Sequence, residues 1–289
     1  MIDVSGLPAW AGLRMARPSE ARVVVAGVPY DESASYRRGA RHAPAHLRRL
    51  SAVMSPVDER GRDFGELTIH DLGDLELGDS VAGGWPAAAG RLAAVPAGAF
   101  LTVLGGDHCS AIPVLAAQAR RHPDLAVLWV DAHPDLCEVS GGGRWTCGCA
   151  LRRALECAGL PPSAVVLAAC RDFDPEEVEF VRRHGVVIET AAELACEPAA
   201  AQARIASAVA GRPLHVSFDI DALDPAYAPG TEIPAAGGPS TRQALELLRA
   251  AMRVSHPVGL DVCEVAPIEG DEVTVLAALK LVFETWARL

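Results

Sequence analysis

Two short motifs of Asp and His each follow directly on an apolar run. The first is D-A-H-P-D at 131–135, after LAVLWV, and the second is D-I-D at 219–221, after LHVSF. On an extended chain, side chains at i and i+2 point to the same side. Asp131 and His133 can therefore face one site, and so can Asp219 and Asp221.

Carboxylates gathered in one place repel one another and raise each other's pKa unless cations neutralise them. Carboxylate oxygens combined with two imidazoles suit Mn²⁺ best, ahead of Zn²⁺, Fe²⁺ or Co²⁺. Six ligands with shared carboxylates fit two ions about 3.5–4 Å apart, the spacing of two-metal hydrolytic centres that activate water. The candidate ligands are His108, Asp131, His133, Asp135, Asp219 and Asp221.

The elements that carry these residues alternate along the chain. Apolar runs predict eight strands, at 22–29, 67–73, 99–106, 125–133, 164–170, 185–189, 214–221 and 257–265. Helical patterns occupy 110–122, 150–159, 175–185, 198–211 and 241–253. This alternation predicts a three-layer α/β/α sandwich with a parallel eight-stranded sheet, in one domain spanning 1–289. The crevice at the carboxyl ends of its strands would collect the acids, together with Glu264 from L-D-V-C-E.

Composition limits the classes of partner. The formal charge of −11 argues against nucleic acid or an anionic membrane and favours a small molecule. The first residues lack a secretory pattern, and no uninterrupted run of about 18 apolar residues occurs, so we expect a soluble cytoplasmic protein. Eight irregularly spaced cysteines fit reduced thiols better than a disulfide framework.

With these motifs in place, the chain resembles the ureohydrolase family of arginases and agmatinases. The matching segments are 27–48, LGGDHCSAI at 104–112, WVDAHPDL at 129–136, SFDIDALDPAYAPGT at 217–231 and GLDVCEVAP at 259–267. The resemblance implies a parallel eight-stranded α/β/α fold. It also implies hydrolysis of a guanidino group to urea and an amine at a binuclear manganese centre, in a homo-oligomer of three or six chains.

The resemblance also assigns roles to residues. It implies that His108, Asp131, Asp135 and Asp219 surround one manganese, and that His133 and Asp221 surround the other, with Asp131 and Asp219 bridging. Glu264 matches the carboxylate that pairs with the substrate guanidinium, a role suited to two parallel N–H bonds. The predicted catalytic residues are Asp135, Glu264 and Cys147.

Two departures from the family pattern concern the substrate. A-P-G-T-E-I-P places Glu232 on a loop beside the predicted pocket, where it either recognises a distal amine or points to solvent. C-R-D-F-D-P-E-E makes Asp174 a candidate for an α-amino contact, or else an ordinary helix N-cap. Cys137 and a Gly-rich run stand where arginases bind the α-carboxylate, so L-arginine is not favoured.

The stretch T-C-G-C-A-L-R-R at 146–153 places Cys147 where the family has a proton-relaying His. A disulfide to Cys149 is disfavoured because only one residue separates the pair. Three interpretations stay open. In the first, the leaving group needs less help from an acid, as in an N-hydroxyguanidine, or Cys147 or water serves as the acid. In the second, the small thiol fills a pocket shaped for an altered substrate, and in the third the protein is a weakly catalytic, metal-binding paralogue.

A formimino-type C–N hydrolase is a further alternative. Cysteines near the strand ends are interpreted as packing residues, with a softer metal or a redox-sensitive pocket as the alternative. The sequence as a whole predicts a manganese-dependent amidinohydrolase that acts on a small guanidino compound.

Overall fold

The computed structural model describes residue 4 and residues 6–77 and 81–289. Within these ranges the strands are β1 (Arg14–Met15), β2 (Val23–Val28), β3 (Thr68–Asp74), β4 (Phe100–Gly105), β5 (Ala126–Val130), β6 (Val165–Ala168), β7 (Val187–Glu189), β8 (Pro213–Asp219) and β9 (His256–Cys263). The helices are α1 (Ala43–Leu50), α2 (Pro86–Ala93), α3 (Ala111–Arg121), α4 (Ala150–Ala158), α5 (Pro175–His184), α6 (Ala191–Cys196), α7 (Pro198–Val209), α8 (Thr241–Val254) and α9 (Val273–Trp286).

All neighbouring strands of the sheet are parallel, in the order β1-β3-β2-β4-β9-β8-β5-β6-β7. The eight predicted strands correspond to β2–β9. The additional strand, β1, is two exposed residues at the sheet edge, too short to leave a pattern in the sequence. Strands β2, β4 and β5 are buried along their whole length, as expected of parallel strands covered on both faces.

Two apolar cores, one on each face of the sheet, account for the three layers. One core receives side chains from α1, α6, α7, α8 and α9, and the other from α2, α3, α4 and α5. The predicted α/β/α sandwich is therefore confirmed. None of the helices in the described part of the chain has both the length and the apolar character needed to cross a bilayer.

The five predicted helices correspond to α3, α4, α5, α7 and α8. Helices α4 and α5 end at Gly159 and Gly185, both in the left-handed conformation typical of helix C-caps. Helices α1, α2, α6 and α9 were not predicted. In α9 most residues are buried, so its sequence lacks the polar face that makes a helical period visible.

The strand order creates a crevice in the middle of the sheet. Strands β1 to β4 form one half of the sheet, with β4 on its inner side, and β5, β6 and β7 extend in order toward the opposite edge. The last two strands, β8 and β9, then occupy the gap between β4 and β5. In open α/β sheets a ligand site forms at such a reversal, beyond the carboxyl ends of the strands.

Candidate active site

Four adjacent strands deliver the predicted residues to this crevice. His108 begins a short 3-10 helix after β4, and Asp131 directly follows β5. Asp219 is the last residue of β8, and Glu264 directly follows β9. The structure thus brings residues from distant parts of the sequence together at one edge of the sheet.

A first cluster surrounds Nδ1 of His108, and its side chains are buried. This nitrogen lies 2.9 Å from Oδ2 of Asp131, 3.1 Å from Oδ2 of Asp219 and 3.3 Å from Oδ2 of Asp135. Even so, it makes no well-aligned hydrogen bond with any residue in the described ranges. The ligand atoms of His108, Asp131 and Asp219 lie within 4.8 Å of one another, close enough to hold one metal ion together.

A second cluster shares Asp131 with the first. Nδ1 of His133 lies 3.4 Å from Oδ1 of Asp131 and 3.3 Å from Oδ2 of Asp221. The two oxygens of Asp131 therefore face different histidines, Oδ2 toward His108 and Oδ1 toward His133. This geometry allows one carboxylate to bridge two cations. The oxygen-rich donor set with two imidazoles fits Mn²⁺.

Local main-chain bonds orient the acids. Oδ1 of Asp131 accepts a hydrogen bond from the N–H of His133 at 2.7 Å, and Oδ1 of Asp219 accepts one from the N–H of Asp221 at 2.7 Å. Both are Asx turns, in which an Asp side chain bonds the backbone two residues on. The spacings D-x-H and D-x-D thus orient the acids as well as placing them on one side.

Without a cation, the two histidines supply the counter-charge. Burial opposes a charge on His133, but hydrogen bonds with Asp131 and Asp221 outweigh it and raise its pKa to about 12. Burial also opposes a charge on His108, yet its acidic neighbours raise its pKa well above the usual value. Both shifts favour the cationic, doubly protonated imidazole when no metal is bound.

The carboxylates respond to burial and to one another. Burial first, and then the charge of neighbouring carboxylates, raises the pKa of Asp135, Asp219 and Asp221. Burial also opposes ionisation of Asp131, but the close approach of the two cluster histidines lowers its pKa. Protons thus neutralise charges that cations would otherwise neutralise.

Two of the predicted residues have a backbone conformation that is uncommon outside glycine. The φ angle is 55° at Asp135 and 59° at Glu264. Such strain costs on the order of 1–3 kcal/mol and concentrates at functional sites. The N–H of Glu264 donates to the carbonyl oxygen of Gly106 at 2.7 Å. Position 106 requires glycine because a Cβ there would lie 1.9 Å from the carbonyl oxygen of Tyr30.

Glu264 is one of the residues that line a cavity of about 300 Å³. Its Oε1 accepts from the N–H of His108 at 2.7 Å, whereas Oε2 is buried without a hydrogen-bond partner among the described residues. Burial, followed by the charges of Asp219 and Glu232, raises the pKa of Glu264 well above its usual value. A cationic ligand would reverse this shift, and a planar guanidinium can donate to a carboxylate through two parallel bonds.

Cys147 lies against Glu264 at the cavity wall. Its Sγ is 3.3 Å from Oε1 of Glu264 and 3.6 Å from Oε2 of Glu232. A hydrogen bond with Cys109, together with burial, raises the pKa of the Cys147 thiol well above its usual value. The sulfur therefore keeps its proton and can donate it in a hydrogen bond. Cys147 and Cys149 are both free thiols, as predicted.

Glu232 is buried, so the alternative that it points to solvent is wrong. Its Oε1 accepts hydrogen bonds from Oγ of Ser35 at 3.0 Å and from the backbone N–H groups of Ser35 and Tyr36. These bonds join the loop after β2 to the A-P-G-T-E-I-P loop and leave Glu232 at the cavity wall.

Asp174 is the N-cap of helix α5, as one of the two alternatives predicted, and it also borders the cavity, where the other alternative would place its contact with a substrate amine. The carboxylate of Glu177 accepts from the N–H of Asp174 at 2.9 Å in a capping box. The exposed carboxylate of Asp174 lies 3.4 Å from the sulfur of Cys137, at the cavity wall.

Acidic residues dominate the wall of this cavity. Among the described residues that line it there is no Lys or Arg. The carboxylates along the wall are those of Asp135, Asp172, Asp174, Glu177, Asp219, Asp221, Glu232 and Glu264.

The alternative of a softer metal with a cysteine ligand has candidate sulfurs in Cys137, Cys147 and Cys263. Each offers one sulfur beside acidic or imidazole groups, whereas structural zinc sites combine several Cys or His ligands. The two clusters that share Asp131 are therefore the better site for metal.

Sequence analysis missed several polar residues behind the site. Oγ of Ser33 donates to Oδ2 of Asp107 at 2.7 Å and lies 3.1 Å from Sγ of Cys147. Ser217 and Asp261 lie inside β8 and β9, where their only signal was a polar side chain within an apolar run.

Comparisons with known proteins identify the family of the chain. The arginase family model matches residues 21–287. Proclavaminate amidinohydrolase of Streptomyces clavuligerus is 36% identical over 264 residues, covering 88% of this chain and 84% of that protein. Agmatinase of Bacillus cereus is 33% identical over 270 residues, covering 92% and 91%. The structure of Trypanosoma cruzi formiminoglutamase with Mn²⁺ has a TM-score of 0.87 at 26% identity, covering 98% of each chain.

The structure thus combines a parallel α/β/α sheet with two His and carboxylate clusters, sharing Asp131, at the carboxyl edge of that sheet. The chain belongs to the arginase family, and it is an enzyme that hydrolyses C–N bonds in linear amidines. The resemblance seen in the sequence is thereby confirmed.

We expect metal binding to release protons, on the order of one or more per ion, because the pKa values of His108 and His133 and of the acids around them are raised in the ion-free protein. Because the pKa values of these groups are raised, cations compete with protons for them. We therefore expect the Mn²⁺ affinity to rise as the pH increases from 6 to 8. Calorimetry in two buffers of different ionisation enthalpy measures the release.

Asp131→Asn removes the shared carboxylate and is expected to abolish binding of both ions. Asp124→Asn is the matched control, because the Asp124 side chain is 80% exposed and lies outside both clusters. Mn²⁺ binding to the unaltered protein without proton release at pH 6 would contradict the first of these two predictions. Retention of both ions by Asp131→Asn would contradict the second.

Proposed function

We propose that the protein is a binuclear manganese amidinohydrolase that cleaves a small guanidino compound to urea and an amine. The observation that carries the proposal is the pair of clusters sharing Asp131 next to the unpaired Oε2 of Glu264. This arrangement offers sites for two cations and, beside them, an acceptor for a planar cation.

The donor set supports the choice of Mn²⁺. In the proposal, His108, Asp131, Asp135 and Asp219 would hold one ion, and His133 and Asp221 would hold the other together with Asp131 and Asp219. When bound, such ions would supply a water molecule whose pKa is low enough for it to act as a nucleophile at neutral pH. The unpaired Nδ1 of His108 supports the fit, since this atom lacks a well-aligned partner among the described residues.

Glu264 binds and orients the guanidinium in this mechanism. Because Oε1 is held by the N–H of His108, the carboxylate cannot turn away from the cavity. Asp135 borders the cavity within 3.3 Å of His108 and takes up the proton of the attacking water at its carboxylate. That proton is then available to the departing amine, which leaves in its protonated form.

The charge of the cavity wall favours a guanidino amine over a guanidino acid. Two divalent cations offset four of the eight carboxylates that line the cavity. No Lys or Arg of the described lining residues is available to pair with a substrate carboxylate. In the proposal, Asp174 and Glu232, the predicted substrate-binding residues, accept bonds from a distal ammonium, and Phe173 and Ile233, which also line the cavity, contact the methylenes.

The formimino alternative rests on the similarity to formiminoglutamase. A glutamate-like product carries carboxylates, which the acidic cavity wall disfavours. Charge complementarity therefore ranks guanidino amines first.

A substrate panel tests the reaction. The Mn²⁺-loaded protein is incubated with guanidino amines, guanidino acids, N-hydroxyguanidino analogues and formimino compounds, and urea, hydroxyurea and formamide are measured. We expect urea, with kcat/KM at least about tenfold higher for a guanidino amine than for an acid of equal length. Like charges 4 Å apart repel by about 1–4 kcal/mol, and tenfold corresponds to 1.36 kcal/mol. Formamide as the main product would support the alternative, and absence of all products with two ions bound would indicate a binding protein.

We expect Glu264→Gln to retain both ions and to lose about 10- to 100-fold in kcat/KM, because hydrogen bonds to charged groups contribute about 1.5–3 kcal/mol. Glu176→Gln removes an exposed carboxylate that does not line the cavity and serves as the control. Loss of metal in Glu264→Gln, or unchanged kcat/KM, would contradict the assigned role.

Cys147 acts in this proposal as a hydrogen-bond donor that orients Glu264. A thiol with a raised pKa is a poor proton donor, so we expect Cys147→Ala to lower kcat/KM only about 2- to 10-fold, the effect of one neutral hydrogen bond. Cys147→Ser keeps a donor and is expected to retain activity. A loss of about 10²- to 10⁴-fold in Cys147→Ala would instead indicate general-acid catalysis.

The expected setting is a homo-oligomer in a reducing cytoplasm. All eight cysteines are free thiols, which supports the expected compartment. The expectation of three or six chains rests on the family alone, and sedimentation of the purified protein measures it.

A further inference from the structure

A chain of buried polar side chains leads from His108 through the sheet to helix α3. Nε2 of His108 lies 3.0 Å from Oγ of Ser217, which donates to Oδ2 of Asp261 at 2.7 Å. Oδ1 of Asp261 lies 2.6 Å from Nε2 of His215, whose Nδ1 lies 3.0 Å from Nε2 of Gln118. All five residues have 0% exposure, so water does not compete for these hydrogen bonds.

The Gln118 end of this row of side chains determines which atoms of the row carry the protons. Nε2 of Gln118 donates to the carbonyl oxygen of Val258 at 3.2 Å, and its Oε1 accepts from Nη1 of Arg121 at 2.5 Å. The amide orientation is therefore set, and the second N–H of Gln118 points at Nδ1 of His215. That nitrogen accepts, so the proton of His215 is on Nε2, from which it donates to Asp261.

The donors and acceptors at the His108 end of the row can be assigned in the same way. Asp261 accepts from His215 and from the hydroxyl of Ser217, so the Ser217 oxygen is free to accept the Nε2–H of His108. A neutral imidazole carries one N–H, so Nδ1 of His108 then has a lone pair directed at Asp131 and Asp219. This is the form in which imidazole binds a metal.

We propose that Ser217 and Asp261 are positioning residues that hold His108 in the tautomer and orientation required for metal binding. Metal-binding histidines commonly donate their second ring N–H to such a partner, which sets the tautomer and raises ligand basicity. The other side of the imidazole is held by Trp129, whose ring stacks on it with centroids 3.8 Å apart.

The packing around the chain supports a specific role. Ser217 and Asp261 are direct partners in the β8–β9 register, as are His215 and Gly259. A Cβ at Gly259 would lie 2.2 Å from Nε2 of Gln118 and 2.6 Å from Nδ1 of His215. Because Gly259 has no side chain, it leaves room for the hydrogen bond between Gln118 of helix α3 and His215 of the sheet.

The inference rests on the metal centre proposed above and is tested by metal affinity rather than turnover. In Ser217→Ala we expect the Mn²⁺ dissociation constant of one site to rise about 10- to 100-fold, while the His133 site keeps its affinity. Calorimetric titration of the metal-free protein resolves the two sites.

Thr102→Val is the matched control, because Thr102 is a buried hydroxyl on β4 that bonds Nε1 of Trp286 at 2.9 Å and lies outside the chain. It is expected to lower the melting temperature of the metal-free protein as Ser217→Ala does, with Mn²⁺ affinity unchanged. Equal affinity losses in both variants would reduce Ser217 to a structural role and overturn the inference.

A spectroscopic measurement on the unaltered protein provides a second test. In the Zn²⁺-loaded protein, the long-range ¹H–¹⁵N spectrum is expected to show the His108 proton on Nε2, and a proton on Nδ1 would overturn the inference. If the unaltered protein binds no Mn²⁺, the metal centre and the inference both fail. If it binds two ions and Ser217→Ala binds both equally well, the inference alone fails.

Discussion

Burial of several carboxylates at the ends of four central strands is the constraint on which the site depends. Asp131, Asp219 and Asp221 are almost completely excluded from solvent. Charges in such surroundings require partners, and the two histidines can supply only part of what is needed. The shared position of Asp131, the raised pKa values around it and the acidic cavity all follow from an excess of negative charge. A pair of divalent cations and a cationic substrate are its natural complement.

Much of this could be predicted from the sequence because the relevant signals are local. An apolar run followed by D-A-H-P-D or D-I-D predicts both a buried strand and the polar residues at its carboxyl end. The rule that ligands collect at the carboxyl ends of parallel strands holds whatever the strand order, so convergence could be predicted without knowing which strands are neighbours. The family resemblance supplied the assignment of ligands to each ion, which spacing alone could not provide.

What could not be predicted depends on contacts between distant segments. Burial of Glu232 results from hydrogen bonds to Ser35 and Tyr36, almost two hundred residues away in the chain. The pairing of Ser217 with Asp261 exists only in the β8–β9 register. Helix α9 lacks the polar face that would have revealed it, and β1 is too short to leave a pattern. In each case the missing information is tertiary, since the residues themselves are ordinary in their local sequence.

The insertion of β8 and β9 between β4 and β5 links the site to the course of synthesis. When a ribosome has made the first 212 residues, His108, Asp131, His133 and Asp135 have been made, but the two strands between β4 and β5 are missing. Asp219, Asp221 and Glu264 emerge later, and contacts between segments so far apart in sequence form slowly. The nascent chain therefore holds an incomplete set of ligands until its last strands dock. In the proposed enzyme, the complete set of metal-binding residues would therefore come together only at the end of folding.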